Sequence, residues 1–220
     1  MLKTSTRPDI VFIVLDTLRA DRLSCYGYPR DTTPHIDQFA QGGTLFERAM
    51  VPAQWTIPSH ASLFTGEYPT THMTNQIYDV LDEDNVTLAE LLNHNGYETV
   101  GFCNNPLLGV VENGLDRGFE AFYNYGGAVP NPPDISKSRP KLVGKLFESY
   151  VRIMRRVTTP IQNQFAHNNF LLRIALNPFI ASIWQRRGNF KGNTVRSLRD
   201  VLGYLRIHRN ASERRPLFAF

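Results

Sequence analysis

Residues 9–15, the run DIVFIVL, place the tightest constraint on how this chain can fold. The run is too short for an ordinary helix, and β-branched side chains dominate it. Such a segment reads as a strand covered on both faces, parallel and central in its sheet. It ends in Asp16-Thr17, a polar pair at the C-terminal edge of the strand. In open α/β sheets that edge is where ligands bind.

The next residues keep to the same plan. Residues 18–28 read as a loop or short helix. Thr33-Pro34-His35 opens a helix that runs to about Gln41, with Ile36, Phe39 and Ala40 on one face and Gly42-Gly43 as its stop. Residues 44–50 read as a strand leading to Pro52. A helix starts near Pro58, with Ser59 or Thr56 as its cap. Residues 85–95 (NVTLAELLNHN) form a helix whose apolar face is Leu88, Leu91 and Leu92, closed by Gly96. The strand YETVGF follows at 97–102. Strand, helix and strand at these lengths imply βαβ units: an α/β fold with a central, mostly parallel sheet flanked by helices.

The second half differs in composition. Residues 126–140 (GGAVPNPPDISKSRP) are rich in breakers and read as a linker. Residues 142–157 are amphipathic and basic, and residues 170–184 are apolar but interrupted. A strong helix spans 193–208, with Val195, Leu198, Val201, Leu202 and Leu205 on one face. Leu217-Phe218-Ala219-Phe220 reads as the start of another core strand. The expected organisation is therefore an α/β part at 1–128, a basic helical insertion with its Pro-rich linker at 129–191, and a helix plus strand at 192–220.

Charge divides along the same lines. The chain has 24 Lys and Arg against 20 Asp and Glu, yet residues 137–191 hold 11 basic residues and one acid, Glu148. Such a block suits an anionic surface, and peripheral membrane contact through 137–191 is one expectation. A solvated helical face is the other. No nucleic-acid motif is present, so no nucleic-acid partner is expected. Cys25 and Cys103 make no disulfide framework and lack zinc-ligand spacing. No apolar run reaches transmembrane length, and the N-terminus lacks a small-residue cleavage site. The expected location is cytoplasmic.

The chemistry concentrates in Trp55-Thr56-Ile57-Pro58-Ser59-His60. A hydroxyl stands just before a proline-started helix, whose N-terminal N–H groups favour an anion. A Thr hydroxyl there can attack a phosphoryl or sulfuryl centre if a metal lowers its pKa, and an Asp at the first strand's end, Asp16, can hold that metal. His72 follows the turn at Gly66-Glu67-Tyr68-Pro69 and is a candidate contact for an anionic ester; a plain turn histidine is the alternative. Asn104 is a candidate donor to a substrate oxygen, or an Asx turn before Asn105-Pro106.

Taken in order, Asp16, Thr33-Pro34-His35-Ile36-Asp37, Thr44-Leu45-Phe46-Glu47-Arg48-Ala49, the stretch P-S-H-A-S-L-F-T-G-E-Y-P at 58–69 and Gly114-Leu115-Asp116-Arg117-Gly118-Phe119 resemble the N-terminal half of a sulfatase, within the alkaline phosphatase superfamily. The resemblance runs from about 9 to 123. It implies Asp16 as a metal ligand and Thr56 at the position of the Cys or Ser that sulfatases oxidise to formylglycine. Ser59 matches the family Ser. His60 replaces an Arg that supports the nucleophile, and Thr17 replaces a second Asp. Gly96-Tyr97-Glu98-Thr99 matches the start of the second sulfatase signature, with Asn104 where a sulfate-binding Lys stands. A Thr in T-x-P-x-H also resembles the phosphodiesterase branch, where Thr attacks phosphorus directly.

The implied activity is metal-dependent hydrolysis of a small anionic sulfate ester, with Thr56 and His60 in catalysis, His72 and Asn104 on substrate, and Asp16 with Thr56 on the metal. The alternatives are a phosphodiesterase or phosphotransferase with a Thr nucleophile, and a non-catalytic relative that binds an anionic surface. The metal would be Ca²⁺ in the first case and Zn²⁺ or Mn²⁺ in the second. The resemblance also implies further ligands downstream, so an incomplete sheet and an inactive isolated fragment are expected.

Overall fold

The structure is a computed structural model that describes residues 7–76, 79–109, 111–126, 132–133 and 192–220. These residues cluster into two units, Ile13–Pro52 on one side and Met1–Phe12 with Ala53–Phe220 on the other. The linker, the helix expected at 142–157 and the apolar stretch at 170–184 lie outside the described residues, apart from Gly126, Pro132 and Pro133.

The larger unit is built on four strands: β1 (Ile10–Val11), β2 (Glu98–Cys103), β3 (Ala121–Asn124) and β4 (Leu217–Ala219). All pairs are parallel and the order is β1-β4-β2-β3. An α/β fold with a parallel sheet is therefore what the chain forms. The register sets Phe218 between Ile10 and Thr99, and Val100 opposite Ala121.

The centre of this sheet is not the expected one. The last strand, β4, is enclosed by neighbours on both sides, and all three of its residues are buried. β1 pairs through two residues only and is an edge among the described strands. Its apolar run satisfies a strand pattern, but pattern alone does not choose which strand gains two partners.

Alternation along β2 and β4 sorts side chains into two faces. Phe218 joins Ala89, Tyr97, Ile10 and Phe12 on one face. Val100, Leu217 and Ala219 meet Phe102, Tyr204 and Leu205 on the other. Apolar residues on both faces are what a parallel sheet between helix layers requires. Gly101 in β2 is set by β3: a Cβ there would lie 2.5 Å from the Phe122 ring.

The helices of this unit are α2 (Thr56–Thr65), α3 (Pro69–His72), α4 (Leu88–His94), α5 (Pro106–Gly109) and α6 (Thr194–Arg209), with α1 (Pro34–Gln41) in the smaller unit. α4 starts later than expected because Thr87 and Glu90 form a capping box, with Glu90 N–H donating to Thr87 Oγ1 at 3.2 Å and Thr87 N–H to Glu90 at 2.8 Å. Its inward face is Leu88, Ala89 and Leu92; Leu91 points outward. Gly96 follows in the left-handed region at φ 80°. On α6 the inward residues are Ser197, Val201, Tyr204, Leu205 and His208, while Val195, Leu198 and Leu202 are exposed.

α6 is held to the sheet by polar side chains. Tyr204 donates to Glu98 of β2, and His208 lies 3.3 Å from the same carboxylate. Asp9 accepts from Leu217 N–H at 3.0 Å and pairs with Arg214 at 2.9 Å, closing the seam between β1 and β4. Tyr125 donates to Asp200 at 3.1 Å. Burial and the carboxylate together raise the phenol pKa of Tyr125, as they do for Tyr204.

The smaller unit contains two 3₁₀ turns, Ala20–Arg22 and Ser24–Tyr26, and α1. Asp37 of α1 accepts from Cys25 N–H at 2.9 Å and from Thr33 at 3.1 Å, which ties the turn to the helix. The strand expected at 44–50 does not form, since those residues hold no ladder and are exposed. Phe39, expected on one face of α1 with Ile36 and Ala40, is 84% exposed. No helix among the described residues is long and apolar enough to cross a membrane.

Candidate active site

α2 presents the candidate nucleophile. Ile57, Ala61 and Phe64 are its buried side, spaced to lie on one helix face, and they pack with Leu81, Leu108, Leu115 and Cys103. Cys103 is the last residue of β2, so this packing sets the start of α2 at the C-terminal edge of the sheet. Aromatic contacts place the end of β4 beside it. Phe220 lies edge-on to Phe64 at 5.0 Å and to His60 at 6.1 Å.

Neither Ser59 nor Thr56 caps this helix. The N-cap is Trp55, whose side chain makes no capping hydrogen bond, and Thr56 is the first helical residue. Ser59 instead donates its hydroxyl to the Thr56 carbonyl at 3.1 Å. His60 Nδ1 lies 2.8 Å from the same carbonyl. A carbonyl only accepts, so this contact puts the ring proton on Nδ1. Two side chains thus fasten the Thr56 backbone at its carbonyl. Pro58 has no N–H, and Ser59 N–H donates to the Trp55 carbonyl. The first-turn N–H groups without an intrahelical acceptor include those of Thr56 and Ile57; Ile57 is fully buried, and Thr56 is half-buried.

His72 is 1% exposed and belongs to the packing beneath α2. Thr74 N–H donates to its Nδ1 at 3.1 Å, so the ring proton sits on Nε2 and is directed at Ser62 Oγ, 2.9 Å away. Burial pushes its pKa below the ordinary value, against a smaller opposing pull from Glu67. This Ser62–His72 pair has a sequence signal, two polar residues flanking a Gly turn that joins two helices, but nothing in that signal distinguishes it from a surface turn.

Asn104 follows β2 directly. Its Nδ2 donates to Ser197 Oγ at 3.1 Å, in the first turn of α6, and its buried Oδ1 has no hydrogen-bond partner. Asn105 forms the Asx turn, accepting from Leu107 N–H at 3.1 Å. Asp16 lies in the Ile13–Pro52 unit, in a turn closed by Leu18 N–H donating to the Leu15 carbonyl at 3.3 Å, just before Thr17, which has a positive φ of 63°. Thr56, Ser59 and His60 are thus brought together on α2, with His72 tied to the same helix through Ser62. Asn104 stands at the same sheet edge, and Asp16 belongs to the other unit. Among the described residues no group of three or more His, Cys, Asp or Glu is placed to hold a metal ion.

Comparison with known proteins bears on this arrangement. The sulfatase family model matches residues 8–177. Human arylsulfatase A is 36% identical over 131 residues, covering 55% of this chain and 26% of its own length. An N-acetylgalactosamine-6-O-sulfatase of Bacteroides thetaiotaomicron is 35% identical over 102 residues, covering 44% of this chain and 20% of its own. The crystal structure of a phosphonate monoester hydrolase from Agrobacterium radiobacter has a TM-score of 0.48 at 30% identity, over 53% of this chain and 26% of that one. The chain spans about a quarter of the length of the curated relatives it matches. The family match covers well over half of the chain and includes both Asp16 and Thr56. By that match, the chain belongs to the sulfatase family.

Proposed function

We propose that the protein hydrolyses small anionic sulfate esters, with Thr56 as its nucleophile. The observation that carries this reading is the placement of Thr56 as the first residue of α2, with its carbonyl held by Ser59 and His60. The helix end attracts the ester's negative charge, and the N–H group of Thr56 suits one of its oxygens. Attack by Thr56 Oγ forms an O–S bond as the ester S–O bond breaks, and the alcohol leaves with the hydroxyl proton. Water then cleaves the threonine sulfate. His60 acts through Thr56 as a positioning residue, because its Nδ1 contact is with the Thr56 backbone and its ring is buried among Phe64 and Phe220. Asn104 is the further candidate for substrate contact, through the sheet edge it shares with α2.

A divalent metal, Ca²⁺ in this reading, would lower the hydroxyl pKa and screen the ester. One carboxylate from Asp16 and one hydroxyl from Thr56 fall short of the roughly six to eight oxygens Ca²⁺ takes. The described residues therefore do not make up a metal site, and no step above passes through one. A second reading, phosphate-ester cleavage with Zn²⁺ or Mn²⁺, rests on the Thr56-x-Pro58-x-His60 spacing, which resembles the phosphodiesterase branch of the superfamily.

The test is turnover of aryl sulfate and aryl phosphate by the full-length protein and its Thr56→Ala variant, with Ca²⁺, Mn²⁺ or Zn²⁺ added. Loss of a covalent nucleophile costs about 10³-fold or more in rate. A Thr56→Ala rate within a few-fold of the parent refutes the assignment. Faster turnover of the phosphate ester selects the second reading, and no turnover of either ester selects a non-catalytic relative.

A further inference from the structure

We propose that the outer face of α6 docks on an anionic membrane surface. At about 100° per residue, Val195, Leu198, Arg199, Leu202, Arg206 and Arg209 fall within an arc of roughly 100°. The opposite side carries Ser197, Val201, Tyr204 and His208 toward the sheet. The three aliphatic residues of the outer arc are 67%, 55% and 54% exposed. The one acid of the helix, Asp200, lies off this arc and is held by Tyr125. The face is therefore an apolar strip bordered by arginines with no acidic side chain within it.

That composition selects among occupants. Apolar side chains among arginines suit the boundary between headgroups and acyl chains, where apolar burial adds to charge attraction. A soluble polyanion would use the arginines and leave Val195, Leu198 and Leu202 in water. An anionic lipid surface complements the arginines and the apolar strip of the helix face alike.

The experiment is co-sedimentation of the full-length protein with vesicles of phosphatidylcholine alone, or with three parts in ten of phosphatidylserine. The expected result is binding to the anionic vesicles only, lost at high salt. Arg199→Gln with Arg206→Gln should weaken it about 25-fold, at about fivefold per arginine. Leu198→Gln with Leu202→Gln should weaken it roughly tenfold through lost apolar insertion. Both pairs are exposed, so circular dichroism and thermal unfolding should match the parent. Parent-like binding by both double variants overturns the proposal, since attachment then belongs elsewhere in the chain. Absence of binding to anionic vesicles at low salt overturns it too, as does binding to heparin alone.

Discussion

His72→Ala should weaken the fold at neutral pH and reduce its sensitivity to mild acid. The side chain makes two buried contacts, to Ser62 Oγ at 2.9 Å and from Thr74 N–H at 3.1 Å. Each hydrogen bond contributes about 1 kcal/mol, and leaving the buried Thr74 N–H without an acceptor costs about 1–3 kcal/mol more. The expected loss is about 3 kcal/mol near pH 7.5. The pH dependence follows from the tautomer. Nδ1 accepts in the native state, so protonation there breaks the Thr74 contact. Burial accordingly holds the folded pKa below the unfolded value of about 6.5. The native contribution is full above that value and is lost as pH falls through the lowered one, with a slope of at most about 1.4 kcal/mol per pH unit. Urea unfolding of the parent and variant at pH 7.5 and 5.5 reads both quantities. The gap between them should narrow at the lower pH, by no more than about 1.4 kcal/mol. A gap that stays constant or widens would show that His72 is not the neutral acceptor described here.

Three other substitutions test the framework. Thr87→Ala removes the capping box of α4 and a hydrogen bond to the Arg117 carbonyl, and should cost about 1–2 kcal/mol in urea unfolding. Gly118→Ala should prevent stable folding, seen as loss of the cooperative thermal transition; φ is 81°, and the new Cβ would lie 2.1 Å from the Glu90 nitrogen. Glu120→Gln should cost no more than about 1 kcal/mol, because its two bonds to Arg215 at 2.7 and 2.6 Å are partly exposed. The hydrogen bond from Arg215 holds the Glu120 pKa low, so the difference should be present at neutral pH and vanish as pH falls through that lowered value.

Much of the fold was legible locally. The strand-forming residues Thr99, Val100 and Phe102 of β2 and the Gly96 stop reveal a helix–strand step without any tertiary information. The Thr87-x-x-Glu90 spacing marks the true start of α4 at Leu88, three residues after Asn85, and gives a sharper signal than the apolar pattern. The strand expected at 44–50 shows the opposite case. Its residues have strand propensity, but propensity becomes structure only where a neighbouring strand accepts its hydrogen bonds. α6 also has more than one plausible apolar stripe. The inward one holds Tyr204 and His208 because Glu98 on β2 supplies their partner, a choice invisible to hydropathy.

The candidate site divides in the same way. Thr56, Ser59 and His60 are three or four residues apart, so helix geometry alone brings Ser59 and His60 back to the Thr56 carbonyl. The Gly- and Pro-marked turn after α2 was equally visible, as was the family pattern that spans Asp16 and Thr56. The burial of His72 was not, because exposure depends on what else packs over a turn. Nor could the sequence pair Asn104 with Ser197, 93 residues later, or set Phe220 against His60. Local spacing determines which side chains share a helix turn, since backbone geometry repeats every few residues. Strand order, burial and the partners of buried polar groups are decided only when distant segments compete for the same hydrogen bonds and the same apolar surface.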